Sequence, residues 1–357
     1  MKFYEVRIEL RSPTLITSRR TERGFKATLE FIPGTTLRGA ILSSLYYHDK
    51  ISRSELEKEA DDPSLICTPA YPLVDGQRSW PAHPFFFKCK LCKPEKNPCE
   101  NRGREARMEI EKGKEPTIPT SCRYGHVSLE SLHPRPALPN GEKVKVGFTS
   151  SVCAGVNKDR ASVEGGMLYE YDALESGQMF WAYLATPYEI PNPLEIWIGR
   201  GVTRGFGEAK LSLRELDVKK LEEYCRKASI DGIFVLYALS PLLGGGQRAT
   251  PFPTVIELEP IGNRIGRPAE GSLVIEKVYG RAGPYEAGWD MLRGRSRPTF
   301  YSVCYQGSIL RARVVGNVSW EAIASLGILG TVEKWGGETL CCVNQLLPLA
   351  GHPVEGA

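Results

Sequence analysis

Four cysteines and one histidine between residues 89 and 126 have the types and spacing of a metal site. Their pattern is Cys-x2-Cys-x6-Cys-x22-Cys-x3-His, formed by Cys89, Cys92, Cys99, Cys122 and His126. A Cys-x2-Cys pair followed by distant thiols is a spacing with which tetrahedral zinc pins a loop-rich segment. We expect a structural zinc held by the four cysteines, because four protein ligands leave no position for an activated water. His126 is the alternative to Cys99, and unligated free thiols are the competing interpretation.

The composition favours metal ligation or buried thiols over disulfide bonds. The 357 residues include ten cysteines, and Glu5, Arg7 and Glu9 interrupt the start of the chain, so it contains no apolar signal core. No stretch approaches the roughly 18 apolar residues of a membrane span. We therefore expect a cytoplasmic protein with no membrane partner. The net charge of +4 is mildly basic, so a nucleic acid would have to bind at a local patch.

The strands and glycine-rich segments along the chain indicate that it consists of two related halves. Each half opens with an apolar strand that ends in Ser-Pro, at Ser12-Pro13 and at Ser240-Pro241. Each half closes with a glycine-rich segment, at 199–208 and at 327–338. Two similar openings and two similar closures indicate a duplicated domain.

The chain divides accordingly into four parts. Residues 1–212 are predicted to form the first module, with an insertion rich in proline, cysteine and charge at about 63–140. Residues 213–230 predict a helical linker, because Val218, Leu221 and Cys225 fall on one stripe. The second module is expected at 231–350. Residues 351–357 are expected to form a frayed tail.

A Pro-Gly turn opens the first predicted helix within residues 32–40, which read Ile-Pro-Gly-Thr-Thr-Leu-Arg-Gly-Ala. Apolar residues recur with helical spacing from Leu37 to Leu45, and a threonine is expected to cap the helix. The N–H groups at a helix start can hold an anion, with Arg38 as a nearby cation. The alternative is a capped helix whose small residues allow close packing.

Glycine recurs in residues 199–208, which read Gly-Arg-Gly-Val-Thr-Arg-Gly-Phe-Gly-Glu. Repeated glycine permits positive φ and close backbone approach, so that main-chain N–H groups can cradle a phosphate. Arg200 and Arg204 supply charge and Phe206 supplies a stacking face, which are the groups that single-stranded RNA recognition uses. A plain hairpin turn would also account for one glycine cluster. RNA binding is therefore the first hypothesis to test.

Signatures of catalysis are weaker. The five histidines lie outside any Ser/His/Asp or Cys/His motif, and no P-loop lysine follows a glycine loop. His48, on the first predicted helix, is the candidate general base for a ribonuclease, although a lone exposed helical histidine is more often inert. We therefore expect a protein that is not an enzyme.

Residues 32–39 resemble the Pro-Gly-Ser-Ser-Leu-Arg/Lys-Gly motif of the RAMP superfamily of CRISPR-associated proteins. The end of the first glycine loop, Gly205-Phe206-Gly207-Glu208, is similar to the C-terminal glycine-rich loop of that superfamily. The resemblance implies an α+β fold of two tandem ferredoxin-like, RRM-related modules, with the zinc-binding insertion in the first.

A second set of residues is most like the crRNA 5′-handle-capping subunit of type III effector complexes, in particular type III-D. It comprises residues 164–171 and 177–180, and a stretch from Gly288-Trp289 through Pro298 to Gly307-Ser308. Two departures from the superfamily matter. The backbone subunits that cut target RNA carry an aspartate before the Pro-Gly motif, whereas residues 17–31 contain none. The second glycine segment also lacks the regular pattern of the first.

The resemblance implies a non-catalytic subunit that binds the crRNA 5′ handle and docks the large signalling subunit and the first backbone subunit. The residues expected to contact RNA are Arg19, Arg20, Arg23, Lys26, Arg38, Lys158, Arg160, Gly199, Arg200, Gly201, Arg204, Gly205, Phe206 and Gly207. Two rivals stay open: a crRNA-processing endoribonuclease of the same superfamily, and a zinc-dependent scaffold that contacts protein alone.

Overall fold

A computed structural model describes most of the chain. The described residues are 1–20, 26–92, 99–140, 142–157, 162–229, 231–245 and 249–355. The description covers the backbone alone for residues 18–20, 26–27, 99, 153–157 and 162–169.

Sixteen strands and three α-helices make up the described part of the first half. The strands are β1 Lys2–Leu10, β2 Thr17–Arg20, β3 Lys26–Thr28, β4 Ile66–Cys67, β5 Tyr71–Val74, β6 Gln77–Arg78, β7 Trp80–Pro81, β8 Phe86–Cys89, β9 Cys99–Asn101, β10 Leu129–Ser131, β11 Pro136–Ala137, β12 Phe148–Asn157, β13 Ser162–Leu174, β14 Met179–Thr186, β15 Leu194–Trp197 and β16 Glu208–Glu215. The helices are α1 Gly34–Tyr47, α2 Arg53–Asp61 and α3 Gly103–Glu111.

The main sheet of the first half has the strand order β15-β16-β1-β14-β5-β6, and β4 also pairs with β14. Both neighbours of β1 run antiparallel to it. Alternate residues of β14 lie in different cores: Phe180 and Leu184 pack with α1, whereas Trp181 and Tyr183 pack toward the second half. This central strand is therefore buried on both faces of the sheet, which explains its continuous apolar sequence.

A separate sheet has the order β12-β13-β3-β2. Strands β12 and β13 form a long antiparallel hairpin, and β13 runs parallel to β3 through the pairing of Tyr171 with Lys26. Strands β13 and β3 therefore run in the same direction within this sheet.

Helix α4 and eleven strands follow in the described part of the second half, with α5 and α6 among them. The elements are α4 Val218–Lys227, β17 Ile233–Ala238, β18 Val255–Glu257, α5 Glu259–Ile265, β19 Ser272–Tyr279, β20 Ala282–Glu286, β21 Trp289–Asp290, β22 Arg295–Ser296, β23 Thr299–Cys304, β24 Ile309–Val315, α6 Trp320–Leu329, β25 Thr331–Trp335, β26 Glu338–Val343 and β27 Leu346–Pro348.

The main sheet of the second half has the order β18-β19-β24-β17-β27, and its neighbouring strands are antiparallel. Helix α6 contacts β27 in this sheet and also β4 and β14 of the first half. It is apolar almost throughout, because it is buried between the two sheets. One hydrophobic cluster therefore spans both halves.

A helix is present within residues 213–230 as α4, and its predicted stripe faces the shared core. Cys225 is fully buried, and Val218 and Leu221 pack against the shared core. Helix α4 lies against α6. Among the described residues, no helix combines the length and the apolar composition that crossing a membrane requires.

Three expectations about segment boundaries were wrong. The insertion does not begin at 63, because β4 and β5 belong to the main first sheet. Residues 351–355 are not frayed: Glu355 pairs with Arg107 of α3, and Val354 is buried. The second glycine segment is not a loop like the first, because it forms the end of α6 and the β25–β26 hairpin.

The cysteine-rich insertion is not a separate appendage of the first half, because it contacts both halves. The His133 ring donates from Nδ1 to the carbonyl of Ala82 at 2.9 Å and accepts at Nε2 from the N–H of Arg281 at 3.1 Å. The hydroxyl of Tyr237 donates to the carbonyl of Pro81. The insertion therefore contributes hydrogen bonds to the junction between the sheets.

Candidate metal centre and nucleic-acid interface

Three of the four predicted cysteine ligands meet His126 in one cluster. The ligand atoms of Cys89, Cys92, Cys122 and His126 all lie within 4.8 Å of one another. Cys89 ends strand β8, Cys92 follows in the next turn, and the other two residues bracket a tight turn. The His126 ring presents Nδ1 to the thiols of Cys89 and Cys92, at 3.6 and 3.3 Å.

The spacing of these atoms fits a tetrahedral zinc. With Zn–S near 2.3 Å and Zn–N near 2.0–2.1 Å, a tetrahedron separates two sulfurs by about 3.8 Å and a sulfur from a nitrogen by about 3.6 Å. The Cys92 and Cys122 sulfurs are 3.8 Å apart, and the two sulfur–nitrogen distances are 3.6 and 3.3 Å. Three distances among the three thiols and the imidazole are therefore close to the separations that the ion would impose.

The turn from Cys122 to His126 is built to present its ligands. The N–H of Cys122 donates to the carbonyl of His126 at 2.9 Å, and the N–H of Tyr124 donates to the Cys122 sulfur at 3.4 Å. Gly125 has φ +80, which a glycine adopts without strain. Backbone donors to a ligating sulfur stabilise its thiolate, so this turn favours the form that binds metal.

The fourth ligand among the described side chains is His126. Cys99 lies on β9 and pairs in register with Lys88, but its side chain is outside the description. The Cys-x3-His spacing was the signal for His126, and the structure brings this side chain together with three thiols.

The first glycine loop has the backbone that its sequence predicts. Gly199, Gly201, Gly205 and Gly207 all have positive φ, between +78 and +84. A Cβ on Gly199 would lie 2.3 Å from the carbonyl oxygen of Leu15, and one on Gly207 would lie 2.2 Å from that of Ile198. Only glycine fits at these two positions, because the backbones touch there.

The loop is anchored on the segment that follows the first Ser-Pro strand end. The N–H of Arg200 donates to the carbonyl of Leu15 at 3.0 Å, and the N–H of Gly207 donates to that of Pro13 at 2.9 Å. The Ser12 hydroxyl accepts from the N–H of Glu208 at 2.9 Å. Strand β2 begins at Thr17, so the loop sits beside the start of the basic β2–β3 hairpin.

The side chains of the loop lie outward between these anchors. Arg200 and Arg204 are exposed, and Phe206 is partly exposed beside Gly201. A 3-10 turn at Val202–Arg204 carries the exposed tip. The loop thus combines two exposed guanidinium groups, an accessible aromatic ring and a rigid backbone.

The structure describes the other predicted cations only in part. Arg19 and Arg20 lie on β2 and Lys26 lies on β3, with the backbone alone described. Arg23, Lys158 and Arg160 lie outside the described residues. In the sequence, Arg23 falls between β2 and β3, and Lys158 and Arg160 fall between β12 and β13.

Arg38, expected to contact RNA, is buried in an ion pair, and this arrangement gives it a structural role. Its side chain is 10% exposed and pairs with Glu59, with Nη2 at 2.8 Å from Oε2. It also donates to the carbonyls of Glu59 and Leu65, at 2.6 and 2.8 Å. Burial opposes its charge, but the neighbouring Cys341 and Glu59 raise the pKa of Arg38 above its ordinary value.

The start of α1 is a packing site. Pro33 occupies the cap position, and no threonine side chain caps the helix, contrary to expectation. A Cβ on Gly34 would lie 2.6 Å from the carbonyl oxygen of Cys67 and 3.0 Å from the Cβ of Cys342. The Pro-Gly motif therefore lets α1 approach β4 and β26 closely. The tight packing is at Gly34, because a Cβ on Gly39 would meet nothing within 4 Å.

His48, the candidate general base, is exposed at the C-terminal end of α1. Three other histidines, His83, His133 and His352, are buried. The cations Arg293 and Arg295 of the second half form ion pairs with Glu338, and Arg293 also pairs with Asp61 of α2.

Neither a protein-family model nor a curated protein sequence matches the chain. Solved structures do match. A chain of the type III-B Cmr-beta complex bound to cognate target RNA aligns over 86% of both chains, at 13% identity and a TM-score of 0.50. One from that complex with target RNA and AMPPnP aligns over 86% of both chains, at 14% identity and a TM-score of 0.49. Cmr4 from Pyrococcus furiosus aligns over 60% of this chain and 99% of its own, at 14% identity and a TM-score of 0.27. The chain thus shares its fold with a chain of a type III-B Cmr-beta complex.

Proposed function

We propose that this chain is a non-catalytic RNA-binding subunit of a type III CRISPR effector complex. In this proposal it binds the 5′ handle of the crRNA and docks the large signalling subunit and the first backbone subunit. The glycine loop at 199–207 carries the proposal, because a rigid backbone with exposed arginines and an aromatic ring suits single-stranded RNA. The fold shared with a chain of an RNA-bound Cmr-beta complex supports it.

The proposal assigns each main sheet to a ferredoxin-like, RRM-related module. In the second half, β17, α5, β19, β24, α6 and β27 follow one another as βαββαβ, with the strand order β19-β24-β17-β27. The first half has the corresponding order β5-β14-β1-β16, with α1 after β1. There, β15 and the glycine loop connect β14 to β16 in place of a second helix. The loop thus occupies a connection where the first module departs from the second.

Recognition in this proposal combines charge and stacking. Arg200 and Arg204 contact backbone phosphates, and Phe206 stacks on a base. The basic hairpins that contain Arg19, Arg20, Arg23 and Lys26, and Lys158 and Arg160, extend the contact along the strand. The hydrogen bonds from the loop to Pro13 and Leu15 hold the phosphate-binding backbone in place before RNA arrives.

Zinc is the metal assigned to the Cys/His cluster, with a structural role. Cys89, Cys92, Cys122 and His126 would hold it, and four protein ligands close the coordination shell. The ion would lock the end of β8 to the turn at 122–126, and thereby the insertion that joins the two halves.

The test is binding and cutting of a repeat-derived RNA that carries the 5′ handle, with a scrambled RNA as control. Native and denaturing gels are run from the same samples. A handle-dependent shift with intact RNA supports the proposal. Cutting that disappears in His48→Ala would favour the endoribonuclease, and neither binding nor cutting, in the chain or its assembled complex, would favour the protein-only scaffold.

The loop is tested with the double substitution Arg200→Ala/Arg204→Ala. We expect weaker handle binding and a shallower dependence on salt, by about 0.7 in the log–log slope for each phosphate that is no longer neutralised. The matched control is Arg226→Ala, an exposed arginine on α4 that pairs with Glu222. Equal effects of the loop and control variants would show that the loop does not bind RNA.

The metal assignment is tested by metal analysis of the purified chain. We expect one zinc per chain, and its loss in Cys122→Ser. His126→Ala should release zinc at a lower chelator concentration, whereas Cys99→Ser should retain it. Retention in His126→Ala with loss in Cys99→Ser would assign the fourth position to Cys99.

A further inference from the structure

Two adjacent cysteines, Cys341 and Cys342, stand on the same side of strand β26. Successive side chains of a regular strand point to opposite faces of the sheet. Here the two sulfurs are 3.9 Å apart, and Cys342 donates to Cys341. Cys342 has φ +61, a left-handed conformation that is strained for a non-glycine residue. The backbone therefore holds these two thiols together at an energetic cost.

A β-bulge accounts for the arrangement. On β25, Thr331 pairs with Val343 and Glu333 pairs with Leu340, so both cysteines oppose the single residue Val332. A bulge of two residues against one re-aims side chains, and bulges occur often at functional sites. Formation of the hairpin does not by itself explain why both residues at the bulge are cysteines.

Both thiols are buried, at about 2% exposure each, near two arginines whose carboxylate partners are Glu59 and Asp290. Arg297 donates to the carbonyl of Thr339, two residues before Cys341, and its side chain is 12% exposed. The Cys342 hydrogen bond, together with Arg38 and Arg297, lowers the pKa of Cys341 to about 6, against the effect of burial. Desolvation raises the pKa of Cys342, so Cys341 is the thiol of the pair that loses its proton more readily.

We propose that Cys341 and Cys342 are a redox couple that hydrogen peroxide oxidises to a vicinal disulfide. In the first step the Cys341 thiolate attacks one peroxide oxygen, the O–O bond breaks, and the released hydroxide takes a proton to form water. In the second step the Cys342 sulfur displaces hydroxide from the Cys341 sulfenic acid, and its thiol proton completes a second water. Two thiols are oxidised to one disulfide, and one peroxide is reduced to two waters.

The product is expected to be easily reduced. A disulfide between adjacent residues joins Cα atoms about 3.8 Å apart, closer than the usual 4.4–6.8 Å, and strained disulfides have more oxidising potentials. Oxidation also removes the thiolate beside Arg38. Because the Cβ of Cys342 lies 3.0 Å from the Cβ position of Gly34, the bond forms where the start of α1 meets β26. The couple is thus placed to alter that contact reversibly.

The test is peptide mass analysis of the reduced protein after treatment with hydrogen peroxide. Trypsin releases residues 335–357, which contain Cys341 and Cys342 and no other cysteine. After alkylation in denaturant, we expect this peptide to lack both alkyl groups and to weigh two hydrogen atoms less than the reduced peptide. Dithiothreitol before alkylation should restore both groups. Full alkylation after peroxide, or a cross-link to the peptide of Cys67, would overturn the proposal.

Three variants separate the steps. Cys342→Ser should stop at a Cys341 sulfenic acid that dimedone traps, whereas Cys67→Ser, which removes another buried thiol, should leave the mass shift intact. Arg297→Gln should slow oxidation at pH 7, because it removes a cation that favours the thiolate, which is the reacting species. An unchanged rate in Arg297→Gln, or no trapped sulfenic acid in Cys342→Ser, would refute the first step.

Discussion

Replacing Arg38 by methionine should destabilise the fold strongly and leave RNA affinity unchanged. Arg38 lies in the motif that resembles an RNA-contacting family signature, yet its guanidinium is buried against Glu59. The Glu59 carboxylate also accepts from the N–H groups of Ser64 and Leu65 and from the hydroxyl of Tyr188. Methionine fills similar volume but supplies no charge, so the carboxylate would stay buried without its cation.

The magnitude follows from that burial. Removing one partner of a buried ion pair costs about 3–5 kcal/mol, because the remaining charge is uncompensated. With a urea m-value of about 2–3 kcal/mol per molar, the unfolding midpoint should fall by roughly 1–2 M. The fluorescence of Trp181, which is fully buried, follows the transition.

The controls are Glu59→Gln and the double variant Arg38→Met/Glu59→Gln. The double variant should lose less stability than the two single variants lose when their effects are added, because it removes both charges. Handle RNA affinity, corrected for the folded fraction, should match the wild type. An Arg38→Met protein that unfolds within about 1 kcal/mol of the wild type, yet binds RNA tenfold more weakly, would refute this reasoning.

Three further predictions concern other parts of the fold. Lowering the pH from 6.5 toward 4 should reduce stability, because burial lowers the pKa of His83 and His133 to about 4. The unfolded chain then binds protons that the folded chain does not, and the free energy of unfolding falls by up to roughly 3 kcal/mol for each histidine. A urea midpoint that stays constant between pH 7 and 4.5 would contradict this prediction. Gly207→Ala should disrupt the loop and RNA binding, because its Cβ would lie 2.2 Å from a carbonyl oxygen. Gly205→Ala places its Cβ in open space and should lower the free energy of unfolding by only about 1 kcal/mol. Equal effects of the two substitutions on thermal unfolding would be inconsistent with this prediction. Deleting residues 351–357 should expose the insertion to limited proteolysis, because Glu355 pairs with Arg107 of α3. An unchanged digestion pattern would show that this ion pair does not hold the insertion in place.

Local patterns were sufficient for several features. The glycine spacing at 199–207 predicted a loop with positive φ, because that conformation depends mainly on the residue itself. The stripe in residues 213–230 predicted α4, because helix periodicity is a short-range signal. The spacing predicted that Cys89 lies near Cys92 and Cys122 near His126 for the same reason, since each pair lies within one turn.

Features that depend on distant residues could not be predicted in this way. The environment of Arg38 depends on Glu59, which is 21 residues away, and on Cys341 in the other half. The packed C-terminal segment depends on Asn101, which donates to the carbonyl of Val354 at 2.9 Å. No local pattern marks such partners.

The sequence by itself determined the residue types and the short-range geometry: two pairs of Cys/His ligands, a glycine loop with two arginines, and two strand openings. Tertiary structure decided which side chains are available for chemistry. It buried Arg38 and gathered His126 with three thiols. It also turned Cys341 and Cys342 to one side through a bulge. The physical reason is that burial and pairing depend on contacts between residues far apart in the chain, whereas spacing and φ preference depend on neighbours.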